Sequence, residues 1–171
     1  MNKGRPATSP EKNYPLRRVV YNILLAARSI TSLENKELDF TEKEIVKFTA
    51  IMMARNFDEF LFGTNHTHDD DIHVSDFNLS GWAPKIEAKL DKEMKDRISK
   101  CAGHIVASKP SPFKNDKETK KLVIPLIIQS VEFVQQCIKS DQAKYTGKAK
   151  KYVKEGNALL RKLDIPLLPK S

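Results

Sequence analysis

Apolar residues recur along this chain at intervals of three and four, the spacing of one helical face, and never in the sustained alternation of a half-buried strand. A first helix is expected from Pro15, a residue suited to a first turn, to about Leu33. Leu16, Val19, Val20, Ile23, Ala27 and Ile30 would share its apolar face. A second starts in Asp39-Phe40-Thr41-Glu42-Lys43-Glu44, where Thr41 and Glu44 have capping-box spacing, and Phe48, Ile51, Phe57 and Leu61 carry it to Gly63. Residues 64–83 have no helical period and read as a long polar loop, of the kind that is functional or mobile. A third helix is expected from Pro84 to about Ala107, ended by the proline-containing stretch SKPSPFKNDKE. A fourth covers roughly 119–139, with Pro125 either at its start or kinking its first turns, and is apolar around most of its circumference. A fifth, more basic, covers about 142–163.

The expected architecture is therefore all-α, an antiparallel helical bundle of about five helices. Residues 1–13, polar and holding two prolines, are expected as a flexible tail, and residues 14–171 as one helical domain. The 40% hydrophobic and 30% charged content excludes a disordered chain and a membrane protein. No apolar run approaches the roughly 20 residues of a membrane span, so no membrane partner is expected. The opening MNKGRPATSPEKNYP lacks the apolar stretch of a secretory signal, which leads to the expectation of a cytoplasmic protein. Cys101 and Cys137 both fall in helix-like apolar patterns and read as buried thiols.

Charge is segregated along the chain. Residues 34–81 hold eleven acidic and four basic side chains, whereas residues 139–171 hold nine basic and three acidic. The overall +8 suits either a soluble lysine-rich surface or a polyanionic partner such as RNA. On the second helix Arg55, Asp58 and Glu59 sit at i, i+3 and i+4, as in a solvated or locally paired ladder; a buried Arg55 is the alternative.

Candidate chemistry concentrates in the third helix. With Arg97 at zero degrees on a helical wheel, His104 lies at about −20° and Lys100 at about −60°. Arg97 and His104 therefore share a flank of the apolar stripe, about 10 Å apart along the axis. A guanidinium fork binds phosphate oxygens, and a partly desolvated imidazole exchanges a proton near neutral pH. Gly103 either permits close backbone approach or ends the helix early.

The run Arg97-Ile98-Ser99-Lys100-Cys101-Ala102-Gly103-His104 resembles the HEPN superfamily, above all its stand-alone bacterial members, AbiU2-like or uncharacterised. The hallmark of that superfamily is an arginine, four to six intervening residues and a histidine; the interval here is six. The resemblance implies a homodimeric bundle in which two Arg–His pairs form a cleft that cuts RNA without a metal or other cofactor. It assigns Arg97 and His104 as catalytic residues, with Ser99 and Lys100 in support. It also implies a role in phage defence or as a toxin with an antitoxin or other protein partner. Active members place a polar residue directly after the arginine, where this chain has Ile98, with Ser99 one position on.

Two other functional classes stay open. One is a non-catalytic bundle that binds RNA or a protein, with residues 139–171 as its contact. The other is a metal-dependent hydrolase using the loop at 66–76, where His66, His68, Asp70 and His73 offer imidazoles and a carboxylate at short spacing. That loop matches no established ligand pattern, and its aspartates equally suit turns and solvated charge. Phosphate-loop, dinucleotide-binding and nucleophile-elbow motifs are absent from the sequence.

Overall fold

A computed structural model describes residues 9–63, 73–77, 79–103, 115–141 and 143–170. Five α-helices run in the order α1 (Ser9–Ser32), α2 (Phe40–Phe62), α3 (Lys92–Gly103), α4 (Asp116–Lys139) and α5 (Lys148–Lys162), with short 3-10 turns at Val74–Asp76 and Ile86–Ala88. No strand occurs among the described residues, so the bundle is all-α.

Helix α1 is the hub. It packs against α2, α4 and α5, and α2 packs in turn on α4. Leu16, Val20, Ile23, Ala26, Ala27 and Ile30 are completely buried, more of the circumference than one apolar stripe covers. From α4, Val123, Leu126, Ile127, Val131 and Phe133 are equally buried. Each such aliphatic or aromatic side chain contributes about 1.5–3 kcal/mol relative to its exposed state. By length and composition α4 would also be long enough and apolar enough to cross a membrane, but its apolar side chains are the ones α1 and α2 cover.

Polar pairs fix the helix directions. Lys120, in the first turns of α4, meets Glu34 just beyond α1, and Lys47 of α2 lies 3.2 Å from Asp116 at the start of α4. Helix α4 thus runs antiparallel to α1 and alongside α2 in the same sense. Because parallel neighbours cannot be joined by a tight turn, the connection from Gly63 to Asn115 crosses the length of the bundle and carries α3 with it. Helix α5 then returns parallel to α1, with Tyr21 on Tyr152 and Arg28 on Glu155.

The ends of the helices differ from the sequence expectations for identifiable reasons. Helix α1 starts at Ser9, so Pro15 lies inside it. The capping box of α2 is Asp39 with Glu42, each side chain accepting the other's backbone N–H at 2.8 and 3.0 Å; the Thr41–Glu44 spacing falls within the helix. Asn115 caps α4 through the Glu118 amide, which puts the helix start at Asp116 and Pro125 in its interior. The residues before α5 form a turn with Gly147 at φ 49°, where a side chain would be strained. Buried Tyr145 anchors that turn, its phenol pushed up in pKa by burial and then by the Cys137 thiol, itself buried as expected.

Helix α5 ends in a Schellman arrangement. The Ile165 amide donates back to the Leu160 carbonyl at 3.0 Å and the Asp164 amide to Arg161, with Asp164 at φ 53°. The chain then folds back as a strap. The Asn157 side chain bonds both the N–H and the carbonyl of Leu168, Gln135 of α4 donates to the Leu167 carbonyl, and Ile165 and Leu168 are buried. A glycine is the natural occupant of the left-handed position, and a carboxylate beside helix C-terminal carbonyls is unfavourable. Asp164→Gly is therefore expected to stabilise the fold by about 0.5–1 kcal/mol, with Asp164→Asn recovering the electrostatic part alone, read from urea denaturation midpoints.

Lys47 joins α2 to α4, its ammonium 3.1 Å from Glu44 and 3.2 Å from Asp116. Burial alone would lower its pKa, but hydrogen bonds and charge from the two carboxylates outweigh it and hold the value above the ordinary 10.5. The stabilisation is thus complete below pH 10.5 and is lost as pH rises through the higher folded value. Lys47→Met should cost about 1–3 kcal/mol at pH 7 by leaving two carboxylates facing each other. The gap to the parent should narrow only at strongly alkaline pH, in parallel denaturation series.

Candidate functional site

The helix that carries the candidate chemistry is shorter than its periodicity suggests. Helix α3 begins at Lys92, and the preceding residues form a 3-10 turn and extended chain. The cause is competition for backbone amides. The Lys85 N–H donates to the Gln129 side chain of α4 at 2.8 Å, and the Leu90 N–H to the Asp58 carboxylate of α2 at 2.7 Å. These bonds place the two amides on neighbouring helices. Asp91 then caps α3 through the Met94 amide at 2.7 Å. Within the span expected to be helical, Ile86 is 65% exposed, whereas Leu90 is buried.

Asp58 is the central mooring. It is 3% exposed, and while one carboxylate oxygen holds the Leu90 amide the other meets the Lys95 ammonium of α3 at 2.7 Å. The expected solvated Arg55–Asp58–Glu59 ladder is therefore corrected. Asp58 turns inward with Ala54, Phe57 and Leu61, Arg55 is half-buried and Glu59 is exposed. A buried carboxylate needs such charge-assisted partners to offset its desolvation. Ile98 supplies the apolar part of the attachment and is completely buried where α3 packs on α2.

The segment between α2 and α3 is fixed by aromatic rings. Phe133 of α4 packs edge-to-face with Phe60 and Phe77, at centroid distances of 4.9 and 5.0 Å, and against a tilted Trp82 at 5.8 Å. His73 closes the end of α2. Its Nδ1 lies 2.9 Å from the Glu59 carbonyl, and its backbone N–H donates to Asp76. The ring packs so closely on Gly63 that a Cβ there would lie 2.4 Å from it, which explains the glycine by room and not by backbone conformation.

Of the candidate catalytic residues, Arg97 belongs to α3, one position before buried Ile98, and Ser99 is exposed one position after it. The Arg97 and Lys100 side chains and the whole of His104 lie outside the described residues. The candidate metal ligands His66, His68 and Asp70 lie outside them too. The fourth, His73, is built into the end of α2, a structural role that the sequence reading did not foresee. Among the described residues no group of three His, Cys, Asp or Glu side chains gathers to hold a metal ion. An open cleft of about 130 Å³ lies where α3 begins, between Leu90, Asp91 and Met94 on one side and Lys121, Leu122 and Pro125 on the other.

Sequence reading missed Asp58 and Gln129 as determinants of the site. Asp58 had a signal: it stands four residues after Ala54 and three before Leu61, on the apolar stripe itself. Comparison of the chain with family models, curated proteins and solved structures finds no match.

Asp58→Ala is expected to destabilise the protein by about 2–3 kcal/mol, because the Leu90 amide loses its acceptor and Lys95 its counter-charge. Asp58→Asn keeps an acceptor and should cost less. Faster amide exchange at Leu90 and in α3 would accompany the loss, and unchanged stability of the alanine variant would contradict the mooring role.

Proposed function

We propose that the chain is a HEPN-like, metal-independent endoribonuclease that works as a homodimer, with Arg97 and His104 as its reacting pair. The observation that supports this reading is how α3 is held. It packs on α2 through Ile98 and the Lys95–Asp58 pair, outside the hub made by α1, α2 and α4. Among the described residues of α3, Lys92, Glu93, Asp96 and Ser99 are exposed, a face open to a substrate or a second copy. The burial of Ile98 also gives a physical reason for an apolar residue after the arginine: that position anchors the helix.

In this reading His104 takes the proton of a ribose 2′-hydroxyl as its oxygen attacks phosphorus. The bond to the 5′ oxygen breaks, and that oxygen takes a proton from the partner's imidazole in its protonated form. Arg97 stabilises the crowded phosphorane-like transition state with its planar fork, and Ser99 and Lys100 support phosphate binding. The products are a cyclic phosphate and a 5′-hydroxyl. Such an activity suits a toxin or phage-defence component restrained by a protein partner.

The test is cleavage of labelled RNA by the full chain in excess chelator. Arg97→Ala and His104→Ala should each reduce the rate by roughly 10²–10⁴-fold, with helicity and oligomeric state unchanged. Absence of cutting by the parent, or undiminished cutting by the variants, overturns the assignment. Activity abolished by chelator would favour metal chemistry at residues 66–73 instead.

A further inference from the structure

We infer that the face formed by α1 and α5 is a docking surface for single-stranded nucleic acid. No residue of α3 takes part, so the inference stands independently of the nuclease reading.

The surface begins with an aromatic pair. Tyr21 on α1 is 40% exposed, and its ring centroid lies 5.1 Å from that of Tyr152 on α5, tilted by 48°. Tyr152 is half-buried against the core, so Tyr21 supplies most of the exposed ring surface, and a base can stack on an aromatic ring without regard to sequence.

Cations frame the rings. One turn before Tyr152 is Lys148 and beside it Lys151; on α1, Arg18 and Arg28 flank Tyr21. All four are exposed. Across α5 there are six basic residues and one acid, Glu155. That acid is shared between Arg28 at 3.5 Å and Lys151 at 3.8 Å. Among the described residues no carboxylate pairs with Lys148, so the net field over the tyrosines is positive.

The combination selects the ligand. Phosphates reward the cations, and stacking on tyrosine needs bases whose faces are accessible, which a single strand offers and a duplex hides. An acidic peptide would use the lysines and leave the rings idle.

Binding is measured by fluorescence anisotropy at low salt with labelled oligothymidylate, oligouridylate, a duplex of equal length and polyglutamate. The deoxy strand lacks the 2′-hydroxyl, so cleavage cannot consume it and failure of the nuclease reading leaves the measurement intact. Either single strand should bind more tightly than the duplex or polyglutamate. Tyr21→Ala/Tyr152→Ala should weaken single-strand binding by about tenfold, one base stack's contribution, with little change in salt dependence. Arg18→Gln/Lys148→Gln/Lys151→Gln, confined to exposed positions, should weaken it and reduce the log–log salt slope by roughly 2. Equal binding of all four probes, or single-strand binding unaffected by both sets of substitutions, would overturn the proposal, as would no binding of either strand.

Discussion

Enclosure of α1 by three other helices imposes a geometry that the remaining elements have to satisfy. A helix buried on so many sides must let its neighbours come close. The small residues Ala26 and Ala27, with Ala50 and Ala54 on α2, are almost or fully buried and provide that room. Large side chains in those places would force the axes apart and open cavities elsewhere, at a cost set by packing density. With α2 and α4 both seated on α1 and running the same way, no short turn can join them. The long excursion between Gly63 and Asn115, and the peripheral position of α3, follow from that single constraint.

The excursion is held by a different kind of force from the hub. Aliphatic burial dominates between α1, α2 and α4, whereas the chain leading to α3 is fastened by specific polar bonds from Gln129 and Asp58 and by rings around Phe133. Polar moorings are directional, so they set position accurately, but each contributes only about 1–3 kcal/mol. Local opening of such a segment costs far less than global unfolding, and binding surfaces are drawn from this end of the stability range. The same arrangement that excludes α3 from the hub thus makes its attachment depend on a few directional bonds.

Periodicity made the five helices and most of the core legible because burial in α1 and α4 repeats at helical spacing. It misplaced ends, because ends are decided by which side chain captures the first amides. Asp39, Asp91 and Asn115 do so here, and Thr41 and Pro84 had equally plausible local patterns. It also read Leu90 into a helix, since an apolar residue in register says nothing about an aspartate on another helix that takes its amide. Asp58 and His73 were misjudged for one shared reason: each carries a polar group whose partner is remote in sequence or on the backbone. For Arg97 and His104 the sequence supplies spacing and resemblance; helix α3 carries Arg97, and His104 lies outside the described residues.

Charge segregation along the chain becomes a segregation in space through the same topology. The acidic stretch 34–81 includes α2, and the basic stretch 139–171 includes α5. Helix α5 packs on α1, while α2 packs on α1, α4 and α3. Internal pairs spend part of the acidic charge holding helices together, as Asp58 does with Lys95 and Glu44 with Lys47. Most of the lysines of α5 have no such use in the fold. Repulsion among them is a cost that burial has to offset, and a partner carrying phosphates would relieve it. The apolar face of α5, with Ala149, Val153 and Leu160 against the bundle, requires none of those lysines. Their density on the outer face is therefore not something that packing sets, and it leaves that face strongly positive.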